Sequence, residues 1–149
     1  MIQREILGEG TVQLRSPTCR FRYERLKPGV LRMTIDGDDR GDFGSATYDE
    51  VSAEFSRFNL PLALFIDATA ALAPPTKVMD EWTAWFMGHR QQLKTVAVLV
   101  DAASKLTHLS VSIAKHLSHT GDLITIFTER NRFERVLLQH VAETAAATR

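Results

Sequence analysis

Hydrophobic and polar residues alternate with a period of two in the N-terminal part of the chain, between residues 11 and 26. Such alternation is typical of an antiparallel strand with one face buried and the other in solvent. Turn-forming Pro and Gly residues interrupt or follow this stretch at positions 17, 28 and 29, and a second alternating stretch covers residues 30 to 35. The pattern therefore predicts an N-terminal antiparallel hairpin or meander.

After residue 37 the pattern changes to alternating helices and buried strands. Helical spacing of apolar residues predicts helices near residues 47–58, 76–93, 104–118 and 131–141. Continuous apolar runs at residues 62–66, 96–100 and 123–127 are typical of strands covered by helices on both faces. With right-handed crossovers, this order predicts an α/β fold in which a single mixed, largely parallel sheet carries helices on its faces.

Length, composition and charge are those of one ordinary globular domain. The chain has 149 residues, and its 18 basic and 18 acidic side chains give a formal net charge of zero. Because nucleic-acid binding usually requires clustered positive charge, we predict no nucleic-acid partner. The sequence contains neither an apolar run long enough for a bilayer nor a leader pattern, so we expect a cytoplasmic domain without membrane contact. The single Cys19 excludes an intramolecular disulfide.

Three strand sequences, taken with the order of the elements, resemble the STAS or SpoIIAA-like fold of anti-sigma-factor antagonists. They are a strand ending in Ile35-Asp36-Gly37, the strand Leu64-Phe65-Ile66-Asp67 and, after a Trp-rich helix, the strand Val96-Ala97-Val98-Leu99-Val100. A late strand with Phe127, followed by a helix that begins near Asn131-Arg132-Phe133, adds to a likeness to the divergent SpoIIAA-like branch.

The resemblance covers about residues 28–141, which we take as a STAS-like core. Residues 1–27 then form the N-terminal hairpin region of the same domain, and residues 142–149 are expected to be a frayed tail. The resemblance implies a bacterial regulatory or binding domain without catalytic activity.

One motif of the phosphorylated STAS regulators is missing from this chain. In those proteins, a short Asp-Ser-Ser/Thr-Gly type motif places an acceptor serine at a helix N-terminus after the second core strand. Here residues 71–77 read Ala-Leu-Ala-Pro-Pro-Thr-Lys, so only Thr76 is available as a phosphoacceptor. Thr76 also stands where the following helix needs an N-cap, and capping is the alternative interpretation. The kinase-switched function is therefore not transferred to this chain.

Three aspartates, Asp36, Asp67 and Asp101, each follow a predicted strand. At the carboxyl edge of an α/β sheet they could converge on Mg²⁺ and so serve a phosphate-handling enzyme, or each could cap the turn after its strand. No phosphate-binding loop or nucleophile motif accompanies them, so we predict a protein that is not an enzyme and has no metal and no cofactor. The acidic residues 36–42 predict a solvated turn.

The helix predicted from residue 76 carries an aromatic stripe that includes Trp82 and Trp85. Core packing of the stripe is one interpretation. If the helix covers the sheet only in part, the stripe instead offers an apolar surface to a partner or an apolar ligand. Met87 lies off the stripe and is the expected surface anchor. His89 and His140 fall on apolar stripes and are predicted to be buried, hydrogen-bonded imidazoles.

Basic residues dominate positions 15–32, and acidic residues dominate positions 36–54. Arg20 and Arg22, on the polar side of the predicted hairpin, could therefore contact a protein partner or the acidic segment of a second copy in a homodimer. The alternative is a charged strand that only prevents aggregation.

We predict a regulatory module that acts by protein–protein interaction. The alternative is a carrier of a small apolar ligand, with its pocket beside the Trp-bearing helix, and a Mg²⁺-dependent phosphate-handling enzyme is the third hypothesis.

Overall fold

The computed structural model describes residues 2–101 and 123–147, with side chains described up to residue 143. Within these ranges the chain forms seven strands and three helices. In chain order they are β1 (Gln3–Gly8), β2 (Thr11–Arg15), β3 (Cys19–Lys27), β4 (Val30–Gly37), α1 (Ala46–Phe58), β5 (Leu62–Ala71), α2 (Thr76–His89), β6 (Leu93–Leu99), β7 (Ile124–Phe127) and α3 (Arg130–Ala147).

The strands lie side by side in the order of the sequence, β1 to β7, in one sheet. Strands β1 to β4 pair antiparallel as a meander, and strands β4 to β7 pair parallel. The predicted α/β fold with one mixed sheet is thus confirmed. Strand β4 belongs to both halves, so the N-terminal hairpin region continues directly into the parallel core.

Strand β1 was not expected from the sequence. Its residues are exposed apart from the partly buried Glu5, so burial imposes no alternation on the sequence of this edge strand. Backbone pairing with β2 defines the strand instead, with Gln3 opposite Arg15 and Ile6 opposite Val12.

The sheet separates two hydrophobic cores. Helices α1 and α2 pack against one face through buried residues such as Val51 and Trp82, together with Phe21 and Met33 of the sheet. Helix α3 packs against the opposite face, where Phe133 is fully buried in a second core. Strands β4, β5 and β6 are neighbours in chain order, so right-handed crossovers place α1 and α2 on the same face.

Several element boundaries differ from the predictions. Strand β5 runs to Ala71 rather than ending at residue 66, because its second half continues to pair with β4 as far as Gly37. Helix α2 ends at His89, and Leu93, expected at the end of that helix, is the first residue of β6. The helix predicted over residues 104–118 lies outside the described residues.

No helix within residues 2–101 and 123–147 is long and apolar enough to span a bilayer.

Candidate functional site

The face of β2, β3 and β4 opposite α1 carries a polar surface built around Arg20 and Arg22 of β3, which we call the arginine face. Strand periodicity sends Phe21 and Tyr23 into the core and turns the two arginines to the other side. Cross-strand register places Arg20 between Arg15 and Asp36, and Arg22 between Gln13 and Thr34. These neighbours on β2 and β4 complete the arginine face.

The two central arginines have different partners. Arg20 Nη2 donates to Asp36 Oδ2 at 2.7 Å, which makes an exposed ion pair. Arg22 donates to the amide oxygen of Gln13, at 3.4 Å from Nε and 3.2 Å from Nη2. Within the described residues, Arg22 therefore presents a guanidinium whose charge no carboxylate neutralises by contact.

Most of the other charges of the N-terminal half are paired within the chain. Arg25 faces the opposite side of the sheet and donates two hydrogen bonds to Glu54 of α1, while Arg4 pairs with Glu50 of the same helix. In these pairs, basic residues of the N-terminal strands bind acidic residues of α1 within one chain. Fewer of these charges are therefore left for the contact between two copies that the sequence suggested.

The three aspartates do not form one carboxylate cluster. Asp36 lies inside β4 and pairs with Arg20, and Asp67 lies inside β5 rather than after it. Asp101 follows β6. In the described part of the chain, no group of three His, Cys, Asp or Glu residues is placed to hold a metal ion.

Asp67 is a buried carboxylate with a complete set of partners. Its Oδ1 accepts hydrogen bonds from the hydroxyl of Thr69 at 2.7 Å and from the Thr69 N–H at 3.1 Å, and its Oδ2 accepts one from Arg130 at 2.9 Å. Burial alone would raise the pKa of Asp67. The bonds from Thr69 and then Arg130 more than offset burial, so the pKa lies below its ordinary value.

Acid should therefore weaken the fold partly through Asp67. A carboxyl whose pKa is lower in the folded than in the unfolded chain stabilises the fold above its unfolded pKa of about 3.9, and this contribution disappears as pH falls through the folded value. We expect Asp67→Asn to reduce the loss of unfolding free energy between pH 5 and pH 2, measured by urea denaturation. Asp42→Asn, at an exposed loop acid, should leave the wild-type slope; an unchanged slope in Asp67→Asn would contradict the assignment.

The aromatic stripe of α2 divides between core and surface. Trp82 is buried, with its ring centroid 4.6 Å from that of Tyr48, whereas the half-buried Trp85 stacks on His89 at 4.6 Å. The core-packing interpretation of the stripe thus holds for Trp82. Met87 is 44% exposed and lies at the surface, as predicted.

Both histidines on apolar stripes are partly buried. His89 Nδ1 lies 2.9 Å from the carbonyl oxygen of Trp85. His140 packs edge-on against Phe65, and burial, followed by the nearby Lys94, lowers its pKa.

Thr76 is exposed and is the first residue of α2. Pro75, whose backbone is extended, occupies the N-cap position, so the capping interpretation of Thr76 is wrong. Proline already fixes the backbone before the helix, and the threonine hydroxyl remains at the surface of the first turn.

Cys19 is unsuited to nucleophilic chemistry. Burial, followed by the nearby carboxylate of Asp39, raises the pKa of its thiol to about 12. The thiolate needed for attack is therefore scarce at neutral pH.

An apolar cavity of about 80 Å³ lies between α2 and the sheet. Its walls include Phe21, Met33, Val78, Trp82 and Phe86, so it lies beside the Trp-bearing helix, where the apolar-ligand alternative requires a pocket. The sequence missed one polar wall residue, Asp39, because the acidic residues 36–42 predicted a solvated turn. Asp39 is only 8% exposed, and no periodicity in a loop signals which acid turns inward.

Comparison with known proteins identifies a solved structure with a similar fold. No protein-family model matches the chain, and no curated protein matches its sequence. A search of solved structures finds the crystal structure of an anti-sigma factor antagonist from Mycobacterium paratuberculosis. It aligns with a TM-score of 0.56 and 14% identity over 82% of this chain and 97% of that one. With one mixed sheet flanked by helices, the chain has a divergent form of the STAS-like fold of an anti-sigma factor antagonist.

Proposed function

We propose that this chain is a non-catalytic regulatory module of the cytoplasm that binds a protein partner through the arginine face. Its structural neighbour is named as an antagonist of an anti-sigma factor, which is a regulatory protein–protein role. The observation that carries the proposal is the exposed Arg22, whose guanidinium contacts an amide and no carboxylate in the described residues.

The geometry of the arginine face favours an acidic protein surface as its counterpart. The side chains project from paired strands whose backbone is already ordered by the sheet, so little backbone entropy is lost when a partner docks. Arginine is enriched at protein interfaces, where its planar guanidinium can bind a carboxylate through two hydrogen bonds. A second copy of this chain is the alternative occupant, and Met87 and the half-buried Trp85 are a second candidate contact. Thr76, exposed at the first turn of α2, remains the candidate phosphoacceptor.

Charge reversal at Arg22 tests the proposal. We expect Arg22→Glu to lower the affinity for the partner at least tenfold while leaving the unfolding midpoint within the range of surface substitutions, because Arg22 forms no ion pair with another described residue. The partner would be recovered by affinity capture from lysate of the native host, and its dissociation constant would then be measured by calorimetry.

A matched control is available on α3. Arg135 is exposed and forms no ion pair with another described residue, so Arg135→Glu changes the net charge equally at a site away from the arginine face. An equal loss of affinity in both variants would mean that the partner responds only to net charge, which contradicts the proposed surface. Wild-type affinity for Arg22→Glu would contradict it as well. Size-exclusion chromatography of both variants identifies the case in which the partner is a second copy.

A further inference from the structure

The cavity beside α2 combines an apolar interior with the carboxylate of Asp39. Apart from Asp39, the described residues that line it are hydrophobic, among them Ile66 and Val98 of the sheet and Trp82 of the helix. Small apolar cavities remain dry and bind apolar molecules; one of roughly 150 Å³ holds benzene. A cavity of about 80 Å³ therefore suits a body smaller than a benzene ring, such as a short branched aliphatic chain.

Asp39 gives this cavity a chemical preference. Its Oδ1 accepts a hydrogen bond from the Gly41 N–H at 3.0 Å, and its Oδ2 receives none from the described residues. No described Arg or Lys pairs with Asp39, because Arg40, the cation in this loop, is bound to Asp38 at 2.7 Å. A buried carboxylate without a cation is costly, and a ligand that supplies one would remove that cost.

The surroundings of Asp39 reinforce the preference for positive charge. Burial raises the pKa of Asp39, and the negative charges of Asp42 and Asp38 in the same loop and of Glu81 in α2 raise it further. An anionic ligand would meet repulsion here, whereas an ammonium group would be attracted. The electrostatic field and the apolar walls therefore select the same molecule, a hydrophobic cation.

We propose that this cavity binds a small primary amine, with its branched aliphatic body among Trp82, Phe86 and Val98 and its ammonium group donating to Asp39. The site is separate from the arginine face, so it stands whether or not a protein partner binds there. It refines the apolar-ligand alternative by naming the charged end of the ligand.

Three probes with the same aliphatic body and different head groups test this site. Isobutylamine carries a positive charge, isobutyl alcohol is neutral, and isovalerate is negative at pH 7, and all three share the isobutyl body. We expect isobutylamine to bind at least about tenfold more tightly than the alcohol, because a hydrogen bond to a buried charge contributes about 1.5 kcal/mol or more, and we expect isovalerate not to bind. Calorimetry gives the affinities, and shifts in the methyl NMR signals of Ile66 and Val98 locate the ligand.

Asp39→Asn should bring the affinity for the amine down to that for the alcohol, while the amide keeps its acceptor for the Gly41 N–H. Asp80→Asn, at an exposed acid of α2 that does not line the cavity, should retain the amine preference. Ala71→Val places a larger side chain in the wall at the end of β5 and should abolish binding of isobutylamine, which keeps the test valid if Asp39→Asn fails to fold. The proposal is overturned if none of the probes binds, if isovalerate matches the amine, or if a folded Asp39→Asn retains the preference.

Discussion

Replacing Phe133 with alanine is expected to lower the free energy of unfolding by about 3–5 kcal/mol, the usual cost of removing a fully buried Phe. Phe133 is 0% exposed, and its ring meets Phe65 edge-on with centroids 5.7 Å apart and Phe127 at 5.9 Å. Together with Leu137, it packs α3 against the sheet in the second core. A loss of this size is a large part of the stability of an ordinary domain.

Urea denaturation followed by far-ultraviolet circular dichroism measures this loss. Leu138→Ala is the matched control, because Leu138 is in the same helix and 65% exposed, and we expect a change within about 0.5 kcal/mol. Equal effects of the two substitutions would show that α3 does not dock through Phe133.

The parallel half of the sheet could be predicted because burial on both faces leaves a direct trace in the sequence. The apolar runs at residues 62–66, 96–100 and 123–127 correspond to β5, β6 and β7, and the predictions are wrong only at the ends of these strands. The extension of β5 through Asp67 was missed because a charged residue normally ends such a run. Here Thr69 and Arg130 satisfy the carboxylate, and Arg130 is distant in sequence.

Strand β1 shows the opposite limit. An edge strand whose side chains lie mostly in solvent carries no hydrophobic period, and only its backbone pairing with β2 reveals it. The sequence contained the residues of this strand but no pattern from which to predict it.

The candidate sites differ in the same way. Alternation along β3 was enough to predict that Arg20 and Arg22 share the polar side of the sheet, because a strand fixes the direction of each side chain. Asp39 lies in a loop among other acids, so its inward position depends on where α2 packs. The apolar stripe predicted the helix that borders the cavity, and only the fold assigned the carboxylate to it.

Glu54 links the antiparallel and helical layers of the fold. Its side chain is 7% exposed, and it accepts hydrogen bonds from Arg25 Nε at 2.9 Å and Nη2 at 2.8 Å and from Arg57 Nη1 at 3.2 Å. The same guanidinium of Arg25 lies 4.8 Å from the ring centroid of Phe58, so Arg25 of β3 contacts both Glu54 and the last residue of α1. Removing the carboxylate would leave Arg25, whose side chain is 17% exposed, without its counter-charge.

We therefore expect Glu54→Ala to lower the free energy of unfolding by about 2–3 kcal/mol, because one partner of a largely buried ion pair is left uncompensated. Glu50→Ala, one turn earlier on α1, removes the partner of the half-exposed Arg4 and should cost no more than about 1 kcal/mol. Urea denaturation of both variants, together with Arg25→Ala and the double variant, separates the ion pair from the loss of side-chain contacts. Equal losses of unfolding free energy in Glu54→Ala and Glu50→Ala would contradict the prediction that the buried ion pair contributes more than the exposed one. A coupling energy near zero between Arg25 and Glu54 would mean that packing of the two layers, and not this ion pair, holds β3 against α1.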